Sequence, residues 1–406
     1  MNQKIPEYPR KYSLWLEYII FLLFLLGPLT GNIITILIGV LHDFFQVSPD
    51  IILLAIPAFM FPFALTQLFS GAISDIKGRI PVLITGLILF VIAMFTAALS
   101  FTFEMYIIAN IIGGIGFGFI NPVLIALMTD ITSPSNIAKK MGYLGASANL
   151  GVGLGPLIAT LIILSINWQW IYVLFIIVTT ICLVYFILVK RPSQKIIEGS
   201  GIRIFLSQLS KEWRRFPVIL MILSAFLISH TYIAINIWTS KILILALVPL
   251  PIIGIILALA GVGAAITGFL TGNLIKRKDP KFPVILGSLI LICSILIFLI
   301  TGDITNQERF IFLSLGWILT GLSGGILFTV LTYYSQVLSP ERRGALAGSL
   351  TAAYFTGIAL VPTTLAPFSN SFGITGIYIA ILIVSIIFIL ITMLLYIFSK
   401  RVSIDS

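Results

Sequence analysis

The chain has 406 residues, of which 59% are hydrophobic and 9% charged, with a formal net charge of +10. At a mean hydropathy of +1.15 it is excluded from the class of water-soluble folds around one core, so its solvent is lipid. The surplus of basic residues is spread over short loops, which excludes a soluble domain for nucleic acid.

A helix crosses the hydrocarbon with about 20 apolar residues. The sequence offers twelve such stretches, centred near residues 28, 61, 91, 117, 151, 179, 228, 261, 292, 321, 356 and 386. Period-2 alternation is absent, and backbone groups must be paired in lipid, so the spans are helices rather than a barrel.

In chain order, the first stretch lacks a small-residue cleavage site and reads as a retained span. Glu17 stands about ten residues, or ~15 Å at 1.5 Å per residue, before its centre and is expected to snorkel to the interface; Asn32 lies inside. The segment "GAISDIKGRIP" at 71–81 brings Asp75, Lys77 and Arg79 together between Gly71 and Gly78. Gly71 permits close helix approach, and Gly78 is free to take a positive φ in a tight connection. In the fourth span Asn110, Gly114, Gly118 and Asn121 share one helical face, and Asp130 closes the span.

The fifth span holds Asn149 and then "GVGLGP" at 151–156. Small residues four apart, Gly151 and Gly155, favour close packing in lipid, and Pro156 adds a kink fit for a hinge. Cys182 and Cys293 fall inside the sixth and ninth spans, which argues against a disulfide or a metal site. Residues 190–215 form a basic linker, in which Ile202, Leu206, Leu209 and Trp213 share a face with Phe216, as an in-plane interfacial helix would.

The seventh span carries Ser229, Tyr232, Asn236 and Thr239 on one face, with Trp238 nearby. His230 lies about 200° from Tyr232 at 100° per residue, so it reads as a packed histidine first and a proton carrier second. In the eighth span Gly254, Ala258, Gly261, Ala265, Gly268 and Gly272 make one small-residue stripe, expected to meet the fifth span. Tyr354 and Phe355 follow in the eleventh. The polar stripes of the fourth and seventh spans, with Asn32, Gln67, Asn149, Trp238 and Tyr354, point to a hydrated substrate cavity.

Twenty-two of the 24 basic residues fall on one side if the N-terminus is inside; Lys241 and Arg309 are the outliers. The positive-inside rule then makes both termini cytoplasmic. Internal symmetry is also visible. "SPSNIAKKMGYLGASANLGVGLGP" and "SPERRGALAGSLTAAYFTGIALVP" align under a shift of 206 residues, pairing Gly142 with Gly348 and Gly151 with Gly357. The expected organisation is all-α and membrane-integral. It comprises a six-helix bundle at 1–189, a linker at 190–215 and a second bundle at 216–406, related by pseudo-symmetry.

Gly71, Asp75, Gly78 and Arg79, with Ile73 in place of Leu, resemble the Gly-x-Leu-x-Asp-(Arg)-x-Gly-Arg loop motif of the major facilitator superfamily. "DFFQVSPD" after span one and "SPERRG" before span eleven resemble that family too. "GVGLGP" is similar to the span-five motif of its drug antiporters, although Ala159 and Thr160 replace the closing glycine pair, and Asn110 stands where those antiporters often carry arginine. The resemblance implies transport by alternating access, with export as the direction.

From the residues, Asp75 is expected to dock on the positive N-terminal end of span eleven, capped by Ser339 and Pro340, while Arg79 pairs with Asp130 to hold the halves shut inside. Glu17 and His230 are the weak candidates for proton carriage. No mid-membrane cation or carboxylate is present, which favours a neutral or lipophilic substrate over phosphates or carboxylates. A facilitator or importer of a small neutral metabolite, a lipid flippase and a transporter-shaped sensor are the alternatives. No cofactor, metal site or enzymatic constellation is expected. The partners are a small molecule and the bilayer, and the protein is expected as a monomer in the plasma membrane.

Overall fold

The fold is taken from a computed structural model, which describes residues 14–133, 137–189, 210–245, 247–277, 279–301, 307–339 and 343–402. Among the described residues, twelve helices are long and apolar enough to cross a membrane. Span one is made of α1 (Leu14–Asn32) and α2 (Ile34–Phe45), and span two of the single turn α3 (Pro49–Ile52) and α4 (Ala55–Lys77). Spans three to six are α5 (Arg79–Ala98), α6 (Phe103–Ile131), α7 (Ile137–Ser165) and α8 (Gln169–Leu188). Spans seven to ten are α9 (Phe216–Leu245), α10 (Leu250–Arg277), α11 (Lys281–Thr301) and α12 (Gln307–Val337). Spans eleven and twelve form one element, α13 (Arg343–Val402).

Local chemistry sets the ends of these helices. Thr102 caps α6, its Oγ1 accepting from the Met105 N–H at 3.3 Å. Ser48 does the same for α3, with Pro49 at the first helical position. Gly78 has φ 91° and alone separates α4 from α5. Gly373, at φ 61°, bends α13 between spans eleven and twelve. Both conformations favour glycine.

The twelve spans form two six-helix bundles. In the N-terminal half, span four packs on spans two and three, span one on span five, and span three on span six. In the C-terminal half, span seven packs on α13, and span ten on spans eight and nine. The halves meet along two seams, span five against span eight and span two against span eleven. Cys182 is buried and Cys293 exposed, and both are free. Most of the linker lies outside the described residues. Its last turn docks on span eleven, where Trp213 Nε1 donates to Ser349 Oγ at 2.9 Å.

Candidate functional site

The charged segment after span two is held by a short network. Arg79 donates from Nε to Asp130 Oδ2 at 3.1 Å and from Nη1 to Ser74 Oγ at 2.5 Å; Ser74 in turn donates to the Gly71 carbonyl at 2.7 Å. Arg79 opens span three and Asp130 closes span four, so this pair fastens one half internally. It does not join the two halves, which corrects that part of the expectation. The Asp75 side chain and Pro340 lie outside the described residues, and so does the expected docking of one on the other.

The glycines of span five divide between two neighbours. Gly151 and Gly155 face span one, where an added Cβ would stand 2.2 Å from the Leu25 carbonyl oxygen and 2.6 Å from that of Leu29. The residue that meets span eight is Gly153, whose Cβ would stand 2.9 Å from both the Ala258 oxygen and the Gly261 Cα. The reason is rotation: Gly153 lies about 200° from Gly151 at 100° per residue. Gly261 lies on this seam against Gly153, and Gly268 faces Thr329 of span ten and the Asn149 amide of span five. Pro156 stays within α7, its carbonyl accepting from Thr160 Oγ1 at 2.9 Å.

The polar stripes are mostly seams inside each half rather than walls of a hydrated cavity. Gly114 and Gly118 of span four approach the Phe59 and Phe63 carbonyls of span two. Asn110 donates to its own Tyr106 carbonyl at 2.8 Å, and Asn121 donates to Gln67 Oε1 at 3.2 Å. In span seven, Tyr232 lies on Gly324, Asn236 Oδ1 accepts from Trp317 Nε1, and Thr239 pairs with the Tyr378 hydroxyl at 3.0 Å. A buried polar group in lipid is costly without such partners, and here helices of the same half supply one each, although Gln67 Nε2 and Asn236 Nδ2 are left without a hydrogen-bond partner. His230 is similarly engaged. Its Nδ1 is 3.1 Å from the Gly357 carbonyl, which only accepts, so that nitrogen carries the proton; Nε2 faces Thr364 Oγ1 at 3.2 Å.

The space between the halves keeps fewer of the expected residues. Asn32 lines a cleft there, together with residues of spans two, seven and eleven. Phe63 and Phe355 meet across the halves with ring centroids 4.3 Å apart, and Tyr354 lies edge-on to Phe355 at 5.5 Å. Trp238 is buried near the end of span seven remote from the termini, under the Lys241 ammonium at 4.9 Å.

That remote side is where the halves are fastened. Lys241 Nζ donates to Asp50 Oδ1 at 2.7 Å and Ser240 Oγ to the Thr35 carbonyl at 3.2 Å. Every residue from Ile228 to Ser240 is buried. Open space beside a glycine occurs at both ends of the spans, at Gly39 and Gly373 on this side and at others on the side nearest the termini. Among the described residues, a Cβ at Gly71, Gly142, Gly272 or Gly348 would meet no atom within 4 Å. On that side Lys140 donates to Glu17, joining spans five and one of the same half. Lys241 was visible in the sequence as an outlier of the basic pattern; nothing there marked Trp317 as the partner of Asn236.

The comparisons with known proteins agree with this architecture. Over 357 residues the chain is 25% identical to the uncharacterised MFS-type transporter YceJ of Bacillus subtilis, covering 85% of this chain and 84% of that one. The quinolone resistance protein NorA of Staphylococcus aureus is 33% identical over 141 residues, 35% of each chain. The crystal structure of a D-xylose–proton symporter superposes with a TM-score of 0.74 at 16% identity, covering 92% of this chain and 96% of that one. The family description of the Major Facilitator Superfamily matches residues 19–362 and again 248–404, and with the two fastened six-helix halves this makes the chain a multi-pass membrane transporter belonging to that superfamily.

Proposed function

We propose that the protein exports a neutral or lipophilic small molecule across the cell membrane by alternating access, as a monomer with both termini in the cytoplasm. The halves are residues 1–189 and 216–406, joined by the 190–215 linker. The observation that carries this reading is where charge sits. The ion pairs between described residues, Arg79–Asp130, Lys140–Glu17, Arg215–Glu212 and Lys241–Asp50, all stand at span ends. A charged substrate would enter the middle of the protein without a counter-ion, a state costing several kcal/mol. Similarity to the quinolone resistance protein NorA supports efflux as the direction. The structure then corresponds to the state with its outer side shut, and Asp75 stands as the inner latch, with Arg79 and Asp130 fastening the N-terminal half beside it.

The test is flux of Nile red, an uncharged lipophilic dye, in proteoliposomes containing the purified full chain. Movement of the dye down an imposed gradient, above that in protein-free vesicles, is expected; movement of a carboxylate-bearing dye instead of Nile red overturns the reading. Orientation is checked separately in cells. A cysteine at Glu104 is expected to react with an impermeant maleimide from outside, and one at Lys195 to stay protected.

A further inference from the structure

Toward the side of the termini the seam between spans five and eight opens. A Cβ at Gly254 would stand 3.0 Å from Thr160 Oγ1, and one at Gly261 2.4 Å from the Gly153 Cα. At Gly268 the nearest atom of span five, Asn149 Nδ2, is already 3.8 Å away, and at Gly272 no described atom lies within 4 Å. Gly272 lies within about 20° of Gly261 at 100° per residue, so it still faces span five and the backbones have parted. An aromatic bridge crosses the widened seam. Tyr143 of span five stacks on Phe269 of span eight with centroids 6.2 Å and planes 15° apart. Tyr143 lies about 80° round its helix from Gly153, and Phe269 about 80° from Gly261; the two helices run antiparallel, so both rings fall on the same rim. Span one backs the bridge. Phe21 meets Tyr143 edge-on at 6.1 Å, and Lys140 donates to Glu17 with its ammonium 5.9 Å from the Phe21 centroid. Glu17 and Phe21 are four apart on one helix, Lys140 and Tyr143 three apart on the other, spacings that put each pair on one face. The ion pair and the ring pair are therefore successive rungs between spans one and five.

We propose that the Tyr143–Phe269 stack is a clasp that limits how far spans five and eight part at the ends nearest the termini, and that Glu17 and Lys140 are positioning residues which hold Tyr143 in it. The carboxylate acts through Lys140 on the pose of span five against span one, and so on the ring that reaches the other half. The inference rests on the reading of the protein as an alternating-access transporter and gives Glu17 a part in its conformational equilibrium.

The experiment uses the purified full chain in proteoliposomes, with Cys182 and Cys293 replaced by serine and nitroxide labels on cysteines at Gly142 and Gly272. Dipolar broadening of the EPR spectrum reports the separation of the two helix ends. The broadening is expected to be lost in Tyr143→Ala and in Phe269→Ala, and kept in Tyr143→Phe, which retains the ring. Glu17→Gln is expected to reduce it, and the exchange Glu17→Lys with Lys140→Glu to restore it, a rescue that damage to the fold would not give. Absence of broadening in the parent, or broadening unchanged in Tyr143→Ala or Phe269→Ala, overturns the clasp. No change in Glu17→Gln, or a loss that the exchange fails to restore, overturns the positioning role. Nile red flux by the parent separates the two levels: flux without the expected spectral changes refutes the clasp alone, and absence of flux refutes the transport reading beneath it.

Discussion

Replacing Lys241 by Met removes the charge that joins the halves on the side remote from the termini and keeps the aliphatic stem. At 2.7 Å in a water-like dielectric the attraction is about 1.5 kcal/mol by Coulomb's law. The Asp50 side chain is 65% exposed, so solvent screening and side-chain ordering reduce the net value to roughly 0.2–1 kcal/mol. The ammonium also stands 4.9 Å from the centroid of the Trp238 ring, a contact contributing about 0.5–1 kcal/mol at exposed sites. Together the loss is about 0.7–2 kcal/mol, a factor of roughly 3–30 in a two-state population. The assay is the rate at which an impermeant maleimide labels a cysteine at Ile237, buried in the outer half of span seven, with Cys182 and Cys293 replaced by serine. Lys241→Met is expected to raise that rate about 3–30-fold, and raised salt to speed the unaltered protein in the same direction. The exchange Asp50→Lys with Lys241→Asp is expected to bring the rate back toward its starting value. An unchanged rate in Lys241→Met, or an exchange no slower than the single variant, refutes the claim that this pair closes the outer mouth.

Three further outcomes are expected. Gly153→Val places a Cβ 2.9 Å from backbone atoms of span eight that cannot swing aside, so flux should fall and apparent stability drop by about 1–3 kcal/mol, whereas Gly142→Ala, whose Cβ meets no described atom within 4 Å, should be neutral in thermal unfolding. Arg79→Met removes the bonds to Asp130 and Ser74 and should lower thermal stability by about 1 kcal/mol, with Asp130→Asn giving part of that loss. Nile red flux in proteoliposomes should ignore an imposed pH step and be unchanged in His230→Gln; uphill accumulation driven by the pH step and lost in that variant would instead make His230 the proton carrier.

Much of the fold was legible because its determinants are one-dimensional. Apolar length defines a span, and the spacing of basic loops defines the pairing of ends, so all twelve spans could be counted from composition. Breaks within spans were harder to read. The interruption of span one at Ile33 and the continuous path of α13 through Gly373 were not read from the sequence. The small-residue motif of span five named the right segment and the wrong face. Gly151 and Gly155 have the familiar spacing of four, but Gly153 meets the other half, because which face turns toward span eight is decided by the packing of span one. Most of the amides meet helices of their own half, and Asn32 alone of those named lines the cleft between the halves, for a related reason. A buried Asn announces that it needs a partner, and sequence does not say whether that partner is a ligand or a helix of the same bundle, as Gln67 is for Asn121 and Trp317 for Asn236.

The distribution of polar contacts separates what moves from what stays. Within the C-terminal half, spans seven and twelve are pinned by Thr239–Tyr378, Ser385–Thr231 and Thr392–Ser224, and spans nine and ten by Ser294–Thr320. Within the N-terminal half, Gln67–Asn121 and Tyr106–Tyr172 do the same for spans two, four and six. Each such bond contributes only about 0.6 kcal/mol on average in a membrane protein, but several per half resist shear inside the bundle. The seam between spans five and eight is of another kind. Its centre is glycine backbone on glycine backbone, Gly153 on Gly261, with no long side chain interlocked at that point. Such a contact keeps its close approach while one helix rolls on the other. The described hydrogen bonds that do cross the halves, Lys241–Asp50 and Ser240–Thr35, stand at the outer end of the lever, where the separation between two rocking bodies changes most. Breaking them therefore parts the halves on the side remote from the termini without breaking the described hydrogen bonds inside either bundle, which is the arrangement alternating access requires.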